Sequence, residues 1–157
     1  MDITIRGYRE GDAKALIDVF ERSVRTIAPS KYSDLQVAAW LSPRRDVVAW
    51  NRRILPREAY VAQRKDGRLV GWIEMELDGH VDMLYLGPEA AGKGVGDMLY
   101  AVLLAGARKL GIKKMHTEAS RFAESFFRRH GWRVEKREAI MRGGIAIDRA
   151  RMSIELP

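Results

Sequence analysis

The chain contains no cysteine. Disulfides, thiolate nucleophiles and cysteine-based zinc sites are therefore excluded. No apolar run approaches the roughly 20 residues that a membrane helix requires, so no membrane partner is expected. The opening residues, MDITIRGYRE, lack the apolar core of a signal peptide, and a cytoplasmic location is expected. Long linkers, internal repeats and low-complexity segments are missing as well. Histidine is scarce: His116 and His130 stand at no ligand spacing to His80 and Asp82, so no metal site is expected. What is present suits one folded domain over residues 1–157, with 46% hydrophobic and 31% charged residues.

Charge is unbalanced, at a formal +7. Local basic clusters occur at ARKLGIKK (107–114) and RRHGWRVEKR (128–137). A solvated basic surface accounts for them, and an anionic cofactor or a nucleic acid would also be attracted. No helix-turn-helix, zinc-finger or RNA-binding signature accompanies the charge, which argues against a nucleic-acid partner.

Hydrophobic spacing divides the chain. ITIRGY (3–8) alternates as a strand. Asp12 is placed to cap a helix carrying Leu16, Val19, Phe20, Val24 and Ile27, which Pro29 ends. Ser33 and Gln36 form a capping-box pattern ahead of a second helix. Ser42 and Pro43 suit the start of a third. From 58 to 86 the period becomes two, in three strands joined by Lys65-Asp66-Gly67 and Asp78-Gly79. A helix from about Gly96 carries Leu99, Val102, Leu103, Gly106 and Leu110, and Gly111 closes it. A strand (113–119), a short helix (120–131) and a hairpin about Arg142-Gly143-Gly144 follow. The order β-α-α-α-β-β-β-α-β-α-β-β predicts a mixed sheet with helices on its faces, not a repeating βαβ series.

The stretch LYLGPEAAGKGVGDMLY (84–100) concentrates three glycines, Gly92, Gly94 and Gly96, between a strand and a helix. Lys93 is followed by Gly94 rather than by Ser or Thr, so the loop is not a Walker loop. The third glycine comes one residue early for a Rossmann turn, and the strands before it are hairpins. Two readings stay open: a glycine-rich turn, or a set of backbone N–H groups at a helix N-terminus that holds a phosphate.

These residues resemble the acetyl-CoA loop of the GCN5-related N-acetyltransferases (GNAT), whose pattern is Gln/Arg-x-x-Gly-x-Gly/Ala between a strand and a helix. Gly94 and Gly96 fill the glycine positions, and Leu86-Gly87-Pro88 resembles the strand end. KKMHTEASRFAESFFRRHGWR, YSDLQVAAW (32–40), GHVDMLYL and MSIEL resemble other segments of one bacterial branch, so the likeness covers nearly the whole chain. It implies the acyl-CoA N-acyltransferase fold, an α+β arrangement with a mostly antiparallel twisted sheet of about seven strands and four to five helices. It also implies acetyl-CoA as cofactor, a small-molecule or peptide amine as acceptor, and a homodimer by family habit. Two positions depart from the pattern. Ala91 stands where Gln or Arg helps at the pyrophosphate. Phe127 stands where many members carry a tyrosine that protonates the leaving thiolate.

The resemblance also implies site residues. The cofactor would lie along Leu84, Tyr85 and Leu86, with a backbone N–H near them binding the thioester oxygen. Its pyrophosphate would meet Ala91, Gly92, Lys93, Gly94, Val95, Gly96 and Asp97. Ser120 would cap a helix, contact the cofactor arm, or both; Phe126 would pack on that arm or in the core. His80 falls where some members place a base, and its ordinary pKa of about 6.5 suits proton removal. Asp82, two residues on, would share its face in a regular strand. Each has a plainer reading, His80 as a solvated hairpin residue and Asp82 as a structural acceptor. Glu74 and Glu76 share a strand face that could attract a cationic amine or simply meet solvent. Tyr32 and Trp40 could wall an acceptor pocket through cation–π contact, or pack short helices; Trp50 reads as core. With no cysteine to carry the acetyl group, transfer would be direct in a ternary complex. The other reading retained is a non-catalytic module on this fold that binds CoA or nucleic acid.

Overall fold

The computed structural model describes residues 1–157. Seven strands form one sheet: β1 (Ile3–Gly7), β2 (Glu58–Arg64), β3 (Leu69–Met75), β4 (His80–Leu86), β5 (Lys114–Ala119), β6 (Arg133–Arg142) and β7 (Ile145–Glu155), in spatial order β1-β2-β3-β4-β5-β7-β6. Every pairing is antiparallel except β4 with β5. Five helices complete the fold: α1 (Ala13–Ile27), α2 (Asp34–Leu41), α3 (Val47–Ile54), α4 (Val95–Lys109) and α5 (Ala123–Arg129). The sheet and helix order agree with the sequence reading. No helix is long and apolar enough to cross a membrane.

Alternate side chains of the central strands feed two cores on opposite faces. Val61 and Trp72 join the α1–α3 side with Leu16, Phe20 and Trp50. Ala62 and Ile73 join the α4–α5 side with Leu99, Leu103 and Phe127. The sheet is thus buried on both faces over β2 and β3, which is why all of β3 is buried.

Two irregularities open the middle of the sheet. Glu74 pairs with Met83 and Met75 with Val81, so Asp82 has no partner on β3 and forms a bulge. The parallel pairing of β4 with β5 is limited to His80 with His116 and Val81 with Thr117. Past that point the strands part, and the β5-facing edge of β4 from Asp82 to Leu86 is left without a strand partner.

Some local expectations are corrected. Ser33 does accept the Gln36 N–H and Gln36 does reach back, as the capping box requires. Asp12, however, caps nothing in α1; its carboxylate takes two bonds from Arg6, at 2.9 and 3.0 Å, and the N–H of Arg9 at 2.8 Å. Ser42 and Pro43 do not start a helix. Arg45 donates to the carbonyls of Trp40 and Pro43, in the loop between α2 and α3. Asp46 instead caps α3 by accepting the Val48 N–H at 2.9 Å. On α4 the buried face includes Tyr100 and Ala107 beside Leu99 and Leu103, while Leu110 is 47% exposed. Gly106 lets that helix lie close to β2, since a Cβ there would fall 2.9 Å from the Tyr60 hydroxyl.

Candidate active site

Where β4 and β5 part, two spaces open, and they meet. The first, of about 250 Å³, runs between the C-terminal part of α1, the unpaired edge of β4, the glycine loop and α5. Its walls include Val24, Ile27, Leu84, Leu86, Ala91, Gly92, Gly96, Phe122 and Phe126, and none of its residues is charged. At one end the glycine loop turns into α4. Gly92 and Gly94 have φ of 73° and 79°, a backbone that L side chains rarely adopt. A Cβ at either would meet nothing within 4 Å, so conformation rather than crowding calls for glycine there. Gly96 differs: a Cβ would lie 3.1 Å from the Phe126 ring. The first helical bond of α4 runs from the Met98 N–H to the Gly94 carbonyl. The N–H groups of Val95, Gly96 and Asp97 therefore precede the helical ladder, at the positive end of a 15-residue helix. Such a loop fits a pyrophosphate, and the uncharged walls beyond it fit a long, neutral arm such as that of coenzyme A.

Several cofactor-side expectations find a place here. Leu84, Tyr85, Leu86, Ala91, Gly92, Gly96, Ser120 and Phe126 all line this cleft. The Ser120 hydroxyl also accepts the Ala123 N–H at 3.3 Å, so it braces the start of α5 while facing the cleft. Lys93 is exposed in the loop and joins no ion pair. Asp97 is a correction: its carboxylate is turned to α5, held by Arg129 at 2.9 Å and His130 at 2.7 Å, so only its backbone faces the loop.

The second space, of about 200 Å³, lies beyond Tyr85, between α1, α2, the β4–β5 split and the β6–β7 hairpin. It is aromatic and charged. Phe20, Tyr32, Trp40 and Tyr85 line it together with Arg45, Asp82, Glu118, Arg142, Asp148 and Arg149. Tyr32 and Trp40 meet edge to face at 5.2 Å. The Tyr32 hydroxyl accepts the Arg121 N–H and donates to the Asp148 carbonyl, tying the turn before α2 to β7 and to the segment after β5. The Trp40 indole donates to the Tyr85 hydroxyl at 3.1 Å. Burial pushes the Tyr85 phenol up to about 12, so it keeps its proton at neutral pH. Trp50 lies outside this space and packs on Trp72 in the core.

The acids are arranged differently from expectation. Glu74 is fully buried, with 0% exposure. It accepts from Arg53, Arg57 and the Trp72 indole at 2.7–3.0 Å. Glu76 pairs with Arg57 and His80 and lies outside the cavity. Neither lines the cavity, so neither meets an amine held there. His80 does not line the cavity either. Its Nε2 is 2.8 Å from Glu118 and its Nδ1 3.1 Å from Glu76, with the His116 ring stacked at 4.9 Å. The Glu118 carboxylate, aided by Glu76 and opposed by burial, raises His80 to about 9. It therefore holds its proton at neutral pH and lacks the lone pair a base needs. His80 and Asp82 do lie on one side of β4, with Val81 buried between them, and Arg57 links Asp82 to the Glu76 that pairs with His80. Asp82 does reach the cavity, with one oxygen 2.6 Å from Arg57.

Glu118 is the acid that sequence reasoning left out of the catalytic set. Its carboxylate faces the cavity, and the hydrogen bond from His80 holds it below the usual carboxylate range. The signal was present: His116, Glu118 and Ser120 alternate with the buried Met115, Thr117 and Ala119 along β5. Arg45, Arg142 and Asp148 were missed without such a signal, because they come from loops and strand ends far apart in the chain.

Residues 28–156 match the family model described as an acetyltransferase (GNAT) domain. The uncharacterized N-acetyltransferase YafP of Escherichia coli (strain K12) is 30% identical over 139 residues, covering 88% of this chain and 87% of that protein. A GCN5-related N-acetyltransferase from Rhodopseudomonas palustris superposes with a TM-score of 0.92 at 26% identity, over 99% of this chain and 97% of that one. The PaiA N-acetyltransferase from Thermoplasma acidophilum, solved in complex with coenzyme A, has the same fold, with a TM-score of 0.77 at 23% identity over 99% of this chain and 100% of that one.

Proposed function

This chain belongs to the GNAT acetyltransferase family, and from that membership we propose that it moves the acetyl group of acetyl-CoA to a primary amine by direct transfer in a ternary complex. The observation that carries the reading is the junction of the two spaces. Trp40, Leu84, Tyr85, Ser120 and Ala123 line both. A thioester lying along the uncharged cleft would end at this junction, and an amine in the charged cavity would face it. Holding both reactants there removes the entropy of bringing them together.

In this reading the phosphates sit on the backbone of Gly92 to Asp97, with Lys93 nearby to offset their charge. The pantetheine arm takes up the free edge of β4, packed by Phe126 and Leu86. A backbone N–H of that edge polarises the thioester carbonyl. The incoming ammonium meets Asp82 and Glu118 and gives up its proton, with Glu118 the acceptor directly or through water. The neutral amine would attack the thioester carbonyl, the carbon–sulfur bond would break, and the second proton of the nitrogen would go, through water at the junction, to restore the one that the departing thiolate takes. Phe127 has no proton for the departing thiolate. The Tyr85 hydroxyl, at the junction and still protonated, takes that role. Tyr32 and Trp40 wall the acceptor. His80 serves as a positioning residue that keeps Glu118 ionised.

The test pairs binding with turnover. Saturating acetyl-CoA should raise the melting temperature, and a panel of amines should contain at least one that drives CoA release. Tyr85→Phe should lower kcat while leaving the acetyl-CoA shift in place. A melting curve indifferent to acetyl-CoA would sink the cofactor assignment; binding without CoA release for any amine would sink the transfer.

A further inference from the structure

The acids in the acceptor cavity already have cations. Asp82 pairs with Arg57 at 2.6 Å, Glu118 with His80 at 2.8 Å, and Asp148 with Arg121. Arg149 likewise has an acid, Glu138 at 2.6 Å. Two cations of the cavity are left over. Arg45 makes no ion pair: its Nη1 donates to the Trp40 and Pro43 carbonyls, and its guanidinium lies 4.2 Å over the Phe20 ring. Arg142 also makes none, and its Nη2 donates only to the Ser42 carbonyl. Each therefore keeps at least one terminal nitrogen and its Nε without a partner. Burial, and then the nearby charge of Arg142, lower the pKa of Arg45, the direction expected for a desolvated cation short of an anion. Both guanidiniums also act on the Tyr85 phenol, which puts them within electrostatic reach of the junction.

Like charges held close together in a partly buried space cost stability unless something negative joins them. Most of the chain's other arginines that face buried ground have found a carboxylate: Arg6, Arg53 and Arg57 all do. Arg45 and Arg142 are the exceptions, and both line the cavity where the acceptor would sit. Arginine's planar fork matches a carboxylate in particular.

Resting on the acetyl-transfer reading, we propose that the acceptor is a small zwitterionic amine whose carboxylate is bound by Arg45 and Arg142, an amino acid or a close analogue rather than a polyamine or other purely cationic amine. The ammonium of such a molecule goes toward Asp82 and Glu118, and its carboxylate goes to the two arginines. The arginines then select among amines by charge at a distance from the bond being made. A space of about 200 Å³ accommodates a molecule of this size.

The experiment uses matched pairs. CoA release is measured with a series of free amino acids and with the primary amide of each, for wild type, Arg45→Gln, Arg142→Gln and Arg45→Lys. In parallel, the melting shift caused by a short-chain carboxylate and by its amide is measured with and without coenzyme A. The expected result is a kcat/KM preference for the free acid of about tenfold to a hundredfold, the range for a charge-assisted hydrogen bond. Each glutamine variant should lose most of that preference through KM, and Arg45→Lys should restore part of it. The acetyl-CoA melting shift should survive in all three, which marks them as folded. Equal use of acid and amide, or a preference unchanged in both glutamine variants, would overturn the proposal while leaving acetyl transfer intact. Where no amine turns over, the melting arm decides alone: a carboxylate-specific shift lost in both glutamine variants supports the anion site, and no such shift overturns it. Loss of the acetyl-CoA shift in wild type would instead count against the family reading of the cofactor.

Discussion

The two spaces that meet at Tyr85 are built from opposite materials. The cofactor-side cleft has no charged residue in its walls and offers backbone N–H groups, small residues and apolar area. The acceptor-side cavity has six charged residues and five aromatic ones, Phe127 among them. The difference follows from what each must do. A cofactor that is always the same can be held by backbone geometry, which needs only glycines in the right order. An acceptor must be distinguished from other amines, and distinction among charged molecules needs charged side chains at fixed places. The uncharged cleft draws on one contiguous run, Leu84 to Gly96, with α1 and α5 as walls. The charged cavity draws on α2, the loop after it, β4, β5 and the last hairpin.

That contrast can be broken by experiment. The largest effect is expected on the charged side. Glu118→Gln should lower kcat by about 10²–10⁴, the span of general base catalysis, and leave the acetyl-CoA melting shift unchanged. A kcat within a few fold of wild type would pass the proton to Asp82 or to bulk water. A smaller effect, confined to the uncharged side, is expected from Gly94→Val. The φ of 79° strains a β-branched residue, and about 1–3 kcal/mol of strain would weaken acetyl-CoA by roughly tenfold to a hundredfold. Wild-type affinity in that variant would reduce the loop to a plain turn. The smallest effect is on stability against pH. His80 is raised from 6.5 to about 9, so its ion pairs stabilise the fold fully below pH 6.5 and lose that contribution as pH rises through 9. Over that window wild type should lose about 2–4 °C more in melting temperature than His80→Asn, the response of a domain this size to ~1 kcal/mol. Parallel curves would mean that the pairs contribute nothing.

The fold was largely legible. Period-two alternation over 58–86, the Ser33–Gln36 box and the glycine stops are local signals, and the elements they mark are present. Errors arose at helix starts, where another side chain took the expected partner or the expected place. Asp12 was taken by Arg6, and Asp46 rather than Ser42 caps α3. The same competition explains the misplaced acids. Glu74 on an alternating strand looks outward-facing, yet β3 is central and covered on both faces, so its carboxylate is buried with two arginines. The bulge at Asp82 is a property of pairing with β3 and has no mark in the HVDMLYL segment itself.

By itself the chain determined its element order, the glycine loop at the head of α4 and the want of a thiol nucleophile, because each depends on residues close in sequence or on composition. Only the tertiary structure decided which acid faces the acceptor, why His80 keeps its proton, and which two arginines have no partner. Those outcomes are set by through-space pairing and desolvation among residues up to about a hundred positions apart, as in the bond between Arg142 and Ser42.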